Sequence, residues 1–237
     1  MNVMLQIQGC DALRNLARKE NKEEIVRCGG MKRIMMAIQN HLNNRNLVFN
    51  ACDAIRNLAF DRLLVTADDI KIIVKAMEIH VGNAGVVQAA CGALCNLAMN
   101  DQNERLIVTV GGVEKIIMAM EHHVANAGVQ KCACGVLRNL SPREQYGREI
   151  ATVGGIEKII MAMERHVANA GVQKDACGAL RNLAMNDENE KLIATVGGIE
   201  KIILAMENHV ADAGVQKCAC GALRNLAMND ENGRLIA

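Results

Sequence analysis

The chain has 237 residues, with 27 Lys and Arg against 26 Asp and Glu and a formal net charge of +1. So even a balance gives no global pull toward nucleic acid or an anionic membrane, and any electrostatic preference must come from where the charges sit. Apolar residues make up 51% but aromatics only 1%, with no Trp, so a core must be built from Leu, Ile, Val, Met, Ala and Cys.

In chain order, one short stretch keeps returning. It reads QGCDALRNL over Gln8 to Leu16, NACDAIRNL over Asn50 to Leu58, and VQAACGALCNL over Val87 to Leu97. It then becomes VQKCACGVLRNL over Val129 to Leu140, VQKDACGALRNL over Val172 to Leu183, and VQKCACGALRNL over Val215 to Leu226. Its asparagine marks the phase at Asn15, Asn57, Asn96, Asn139, Asn182 and Asn225, in steps of 42, 39, 43, 43 and 43 residues. A fixed period of this length predicts a solenoid, in which each unit buries its apolar face on its neighbours. Five units are expected at about 18–59, 60–99, 100–141, 142–185 and 186–228, with partial units at 1–17 and 229–237. Partial ends suggest a fragment of a longer array, or ends that associate through bare stacking faces.

The clearest unit, from Asn186 to Met228, divides into three predicted helices. The first, NDENEKLIATV, starts at a cap on Asn186 or Asp187, and Asp187 with Glu190 has capping-box spacing. Gly197-Gly198 then turns the chain, because glycine reaches positive φ cheaply. In the second, Ile199, Ile202, Ile203 and Met206 fall on one helical face. In the third, Val215, Ala219, Ala222, Leu223 and Leu226 form a stripe for burial, and Lys217, Gly221, Arg224 and Asn225 form a separate one. The other units follow this template. In one, Pro142 is expected at N1, with Ser141 as cap and Glu144 closing a capping box; in another, Asp68-Asp69 replaces the glycine pair.

Six of the ten cysteines (Cys10, Cys52, Cys91, Cys134, Cys177 and Cys220) stand five residues before a marker asparagine. As one repeated position among small apolar neighbours, they read as core hydrophobes rather than disulfides. A reducing intracellular compartment fits them, cytoplasmic or nuclear, and the first twenty residues show no secretory leader. No apolar run is long enough for a membrane span.

His80, His123, His166 and His209 recur once per unit near the end of the second helix, where the helix dipole favours a cation. Adjacent helix axes lie roughly 8–10 Å apart, too far for neighbouring units to share an ion. Cys91 and Cys95 supply only two ligands of a tetrahedral site. No metal or other cofactor is expected. Phosphate-loop, nucleophile-elbow and metalloprotease motifs are all missing, so the chain reads as a non-enzyme.

Arg14, Arg56, Arg138, Arg181 and Arg224 each precede a marker asparagine, with Cys95 interrupting the row, and Lys131, Lys174 and Lys217 lie seven residues before three of them. Stacking would align these into a positive strip that attracts acidic or phosphorylated partners, or else each arginine pairs with an acid of the next unit or is merely solvated.

Three helices per unit, the 42- to 43-residue step, the Gly-Gly break and the closing ALRNLA resemble the armadillo repeat family over essentially the whole chain. The near-identity of the later copies points to recent duplication or to a consensus-like sequence. The resemblance implies an all-α, right-handed superhelical solenoid of three-helix repeats, whose third helices line a concave groove for extended peptides. Carried over by motif, the groove ladder of peptide-holding asparagines is Asn57, Asn96, Asn139, Asn182 and Asn225, and the groove charge is Arg56, Arg138, Arg181, Arg224, Lys131, Lys174 and Lys217. An amide both donates and accepts, so it can hold any peptide backbone; an asparagine near a helix end can equally bond the neighbouring unit. Importin-like members carry a tryptophan four residues before many ladder asparagines. Here that position holds Asp53, Gly92, Gly135, Gly178 and Gly221, so the shelves for lysine side chains are missing. The implied function is a protein-interaction scaffold for an extended or helical segment of acidic character. The alternatives are a spacer that self-associates end to end and, below it, an importin-like reader of basic peptides.

Overall fold

The computed structural model describes residues 2–17, 21–59 and 63–236, and every regular element among them is an α-helix. The expected unit starts at Arg18 and Phe60, and the final Ala237, lie outside the described residues. The chain divides into two compact units, residues 1–122 and 123–237.

The first unit holds α1 (Val3–Leu16), α2 (Lys22–Arg27), α3 (Gly30–Asn40), α4 (Arg45–Leu58), α5 (Ala67–Ile79), α6 (Ala84–Leu97), α7 (Asp101–Thr109) and α8 (Gly112–His122). α1, α4 and α6, which carry the recurring stretch, pack in that order, and α3, α5 and α8 form a second row. Ile34, Ile38, Leu47, Ile55, Ile70, Ile73 and Leu94 have no exposed surface between these rows. The second unit holds α9 (Ala127–Leu140), α10 (Glu144–Thr152), α11 (Gly155–Arg165), α12 (Ala170–Leu183), α13 (Asp187–Thr195), α14 (Gly198–Asn208), α15 (Ala213–Leu226) and α16 (Asp230–Ile236). Here α9, α12 and α15 pack in order, with α11 beside α14.

From α4 onward, each third helix starts the same way. Asn44, Asn83, Asn126, Asn169 and Asp212 are extended N-caps whose side-chain oxygens accept from the backbone amide three residues on, at 2.9–3.0 Å. This satisfies one of the orphan donors of the first turn. The second helices start on a left-handed glycine: Gly29, Gly111, Gly154 and Gly197 have φ of 75–80°. The glycine after it meets a different constraint. A Cβ on Gly155 would stand 2.6 Å from the carbonyl oxygen of Ile150, and one on Gly198 2.7 Å from that of Ile193. The first glycine of each pair is therefore required by conformation and the second by the close approach of the preceding helix.

Several expectations are corrected. α10 begins at Glu144 rather than at Pro142: Ser141 is the C-cap of α9, its hydroxyl donates to the Arg138 carbonyl at 3.1 Å, and the N-cap is Arg143, whose side chain does not cap the helix. In α13 Asn186 is the cap, accepting from Glu188 N and Asn189 N, so Asn189 rather than Glu190 stands at N3 and no capping box forms; the Glu190 carboxylate accepts instead from Asn229 N, just ahead of α16, at 3.1 Å. Residues 63–66 are not helical, so no first helix precedes α5 among the described residues; Thr66 and Asp69 form a capping box where other repeats use glycine. Leu223 is only half-buried. Five of the six phased cysteines are buried, whereas Cys220 is exposed, because no further third helix covers that face of α15 among the described residues.

Candidate functional site

The candidate site runs along each third helix, with the expected asparagines and arginines in its last turn and the expected lysines about two turns earlier. The asparagines make a common bond. Asn57 Nδ2 donates to the Arg14 carbonyl at 3.0 Å and Asn96 Nδ2 to that of Arg56 at 2.7 Å. In the second unit, Asn182 Nδ2 donates to the Arg138 carbonyl at 2.9 Å and Asn225 Nδ2 to that of Arg181 at 2.8 Å. Each amide satisfies a carbonyl left over at the end of the preceding third helix. All four stay half-buried, as does Asn139, whose Oδ1 accepts from Arg138 Nε at 3.4 Å. In Asn57, Asn96, Asn182 and Asn225 the amide has a second proton beyond the one given to the preceding repeat.

The arginines run forward while the asparagines reach back. A Cβ on Gly92, Gly178 or Gly221 would fall 2.6 Å from the Cδ of Arg56, Arg138 or Arg181. These are three of the positions that hold tryptophan in importin-like relatives, and here the arginine stem of the preceding repeat lies across them. The lysines follow suit: Lys131 crosses Gly171 and Lys174 crosses Gly214, with Cδ 3.0 and 2.9 Å from the Cβ positions. Glycine at these points lets long basic stems lie flat on the next helix.

The two units differ in charge. In the first, Arg14 pairs with Asp11 at 2.6 Å and reaches Asp53 at 3.9 Å, while Arg56 pairs with Asp53 at 2.6 Å. Pairing thus neutralises the arginines there. In the second, Lys131, Arg138, Lys174, Arg181, Lys217 and Arg224 share the third-helix face, and the one acid on α9, α12 or α15 is Asp175. Arg138 Nη1 donates to Asp175 Oδ1. Asp175 is 7% exposed, and burial pushes its carboxyl above the usual range against the opposing pull of Arg138, Lys174 and Lys131. No ion pair forms on Arg181 or Arg224 among the described residues.

Some contacts that shape the site were not foreseen from sequence, including the role of the recurring histidines. His80, His166 and His209 cap the second helices, and their Nε2 atoms donate to the carbonyls of Leu42, Val124 and Val167 in the preceding repeat at 2.7–2.8 Å. The 43-residue step places each imidazole beside the same carbonyl, a role that the period alone could have signalled. Gln173 and Gln216 tie each third helix to the end of its second helix, through Met163 and His166 and through Met206 and His209. Buried Asn103 and Asn189 bond carbonyls of the preceding repeat, Leu63 and Gly147. Among the described residues no cluster of three or more His, Cys, Asp or Glu could hold a metal, and no helix is long and apolar enough to cross a membrane.

Against known proteins, no curated protein matches the chain in sequence. Two solved structures are similar in fold. One, an engineered protein known from a crystal structure, superposes with a TM-score of 0.76 at 25% identity, covering 96% of this chain and 92% of that one. The other comes from work on a phosphorylation switch that controls the interaction between cadherin and beta-catenin; it superposes with a TM-score of 0.77 at 22% identity, covering 94% of this chain and 46% of that one. The family model described as the LRRK2 ARM repeat matches residues 2–194. The helical repeats, their phase and this match together establish that the chain belongs to the armadillo-repeat family.

Proposed function

We propose that the chain is a non-enzymatic protein-interaction scaffold and that its third helices hold an extended or helical segment of an acidic partner. The units at about 18–59, 60–99, 100–141, 142–185 and 186–228 act as one array, with the asparagines gripping backbone and the basic residues choosing side chains. One observation carries the proposal: six basic side chains share the third-helix face of the second unit with a single carboxylate. Such a face speeds encounter with acidic segments and discriminates against basic ones. The arginine stems over Gly178 and Gly221 also oppose an importin-like mode, since tryptophan shelves and these stems would compete for one place. The similar structure from the cadherin and beta-catenin work supports protein partners in general. Ten free thiols suit a reducing intracellular setting, in cytoplasm or nucleus.

Peptide display against the chain, beside a variant with Arg138, Arg181 and Arg224 all changed to Glu, tests the proposal. The chain should enrich acidic peptides and the variant should lose them. Enrichment of nothing by either would leave a spacer or self-associating module as the better account.

A further inference from the structure

The forward-running arginines find acceptors at two kinds of place: three residues back on their own helix, or on the next third helix at the residue seven before its marker asparagine. Arg14 uses both, through Asp11 and through Asn50, whose Oδ1 accepts from Nη1 at 3.0 Å. Arg56 faces Ala89 across the interface and turns to Asp53 on its own helix. Arg138 has Gly135 on its own helix and takes Asp175 across the interface. Arg181 has neither, because Gly178 stands three residues back and Cys218 occupies the place of Asn50 and Asp175. Its Nε bonds Asn182 Oδ1 at 3.3 Å, its stem lies over Gly221, and its terminal nitrogens carry no bond among the described residues.

We propose that Arg181 is a specificity subsite that takes one carboxylate side chain from a bound protein segment, at the place that Asp175 fills for Arg138. This deepens the scaffold reading and rests on it. The chain itself shows which group fits. At the Arg138 site the carboxylate of Asp175 lies in the field of Arg138, Lys174 and Lys131. One repeat later the same positions are Arg181, Lys217 and Lys174, with a thiol in place of the acid. Arg181 is half-buried, so its guanidinium is already partly dehydrated and its stem already ordered. Binding there forfeits less side-chain freedom than at a solvated arginine. Cys218 is not fully covered, which leaves the place open from the groove.

The repeats permit an exchange experiment with the full chain and a display library of random peptides. Wild type should enrich peptides with one fixed acidic position. Cys218→Asp fills the subsite from within, as Asp175 does, and should weaken the enriched peptide about tenfold, the loss of one charge-assisted hydrogen bond. Arg181→Gln should do the same by removing the donor. The peptide with alanine at the acidic position should bind wild type, Cys218→Asp and Arg181→Gln alike. Asp175→Cys frees Arg138 and should add a second acidic preference about three residues from the first, since extended chain covers one helix spacing in that many residues. A phosphoserine at the acidic position should bind no better than aspartate; a gain above tenfold would overturn the carboxylate assignment. Wild type that enriches peptides which neither Cys218→Asp nor Arg181→Gln weakens would overturn the subsite while leaving the groove standing. Wild type that enriches nothing would overturn both.

Discussion

Arg138 Nη1 donates to the carboxylate of Asp175, thirty-seven residues further along, across the interface between α9 and α12. The same arginine's carbonyl accepts from Asn182. One residue is thus bonded forward through its side chain and backward through its backbone, and both bonds join the same two helices.

Asp175 should make stability depend on pH with a definite sign. Its folded-state carboxyl binds a proton more tightly than the reference value of 3.8, so the folded state holds more protons in that window. Its contribution is most favourable below 3.8 and is lost as pH rises through the higher folded value. Asp175→Asn removes this term. The stability of the variant relative to wild type should therefore grow as pH rises from about 4 to 7, measured by urea unfolding at each pH. A constant difference would show that Arg138 compensates the burial.

Gly221→Ala separates helix propensity from the arginine crossing. Alanine stabilises a helix interior by about 1 kcal/mol relative to glycine. In the wild-type chain the new methyl meets the Cδ of Arg181, so most of that gain should vanish. In an Arg181→Ala background it should reappear. Equal effects in the two backgrounds would show that the stem moves aside freely.

The asparagine and histidine ties should be alike in stability and unlike in binding. Asn182→Ala and His166→Ala each break a half-buried bond to the preceding repeat, and each should cost about 1 kcal/mol. Only Asn182 stands beside the groove arginines. Calorimetric titration with an enriched peptide should therefore weaken for Asn182→Ala and hold for His166→Ala.

Within one glycine pair, Gly154→Ala forces alanine to a φ of 78° and should cost about 1–2 kcal/mol. Gly155→Ala brings a methyl against the backbone of Ile150, which cannot move as a side-chain end can, and should cost more. Thermal unfolding of the two variants would rank them.

Thiol labelling of the folded chain should be sharply selective. Burial pushes the Cys10 thiol up to about 11 and those of Cys52 and Cys177 to about 12, and raises that of Cys134 as well. Cys28 is exposed but donates to Glu24, which also raises it. Exposed Cys220 should react first with a thiol reagent at neutral pH, read by mass spectrometry after partial modification.

The period, the glycine breaks and the buried stripes were legible because they obey local rules: asparagine phase, conformational demand and helical spacing. Less legible were relations that need two repeats at once. Gly178 and Gly221 look like weak points of a helix until the Arg138 and Arg181 stems are laid across them. The arginines before the marker asparagines, read as one strip, divide by whether an aspartate stands in reach: Asp53 or Asp175 serves Arg14, Arg56 and Arg138, and no ion pair forms on Arg181 or Arg224 among the described residues. Ser141-Pro142 misled because a capping motif can close one helix as well as open the next, and the Ser141 hydroxyl turns back to Arg138.

The third helices of the second unit are nearly interchangeable, and a lattice of equal steps has no origin. A segment gripped through its backbone could shift by one step and meet the same asparagines and lysines again. Asp175 breaks that translational degeneracy. It pairs with Arg138 and leaves Arg181 and Arg224 without an ion pair among the described residues, so under the proposed binding mode a single residue would fix where on the lattice counting begins.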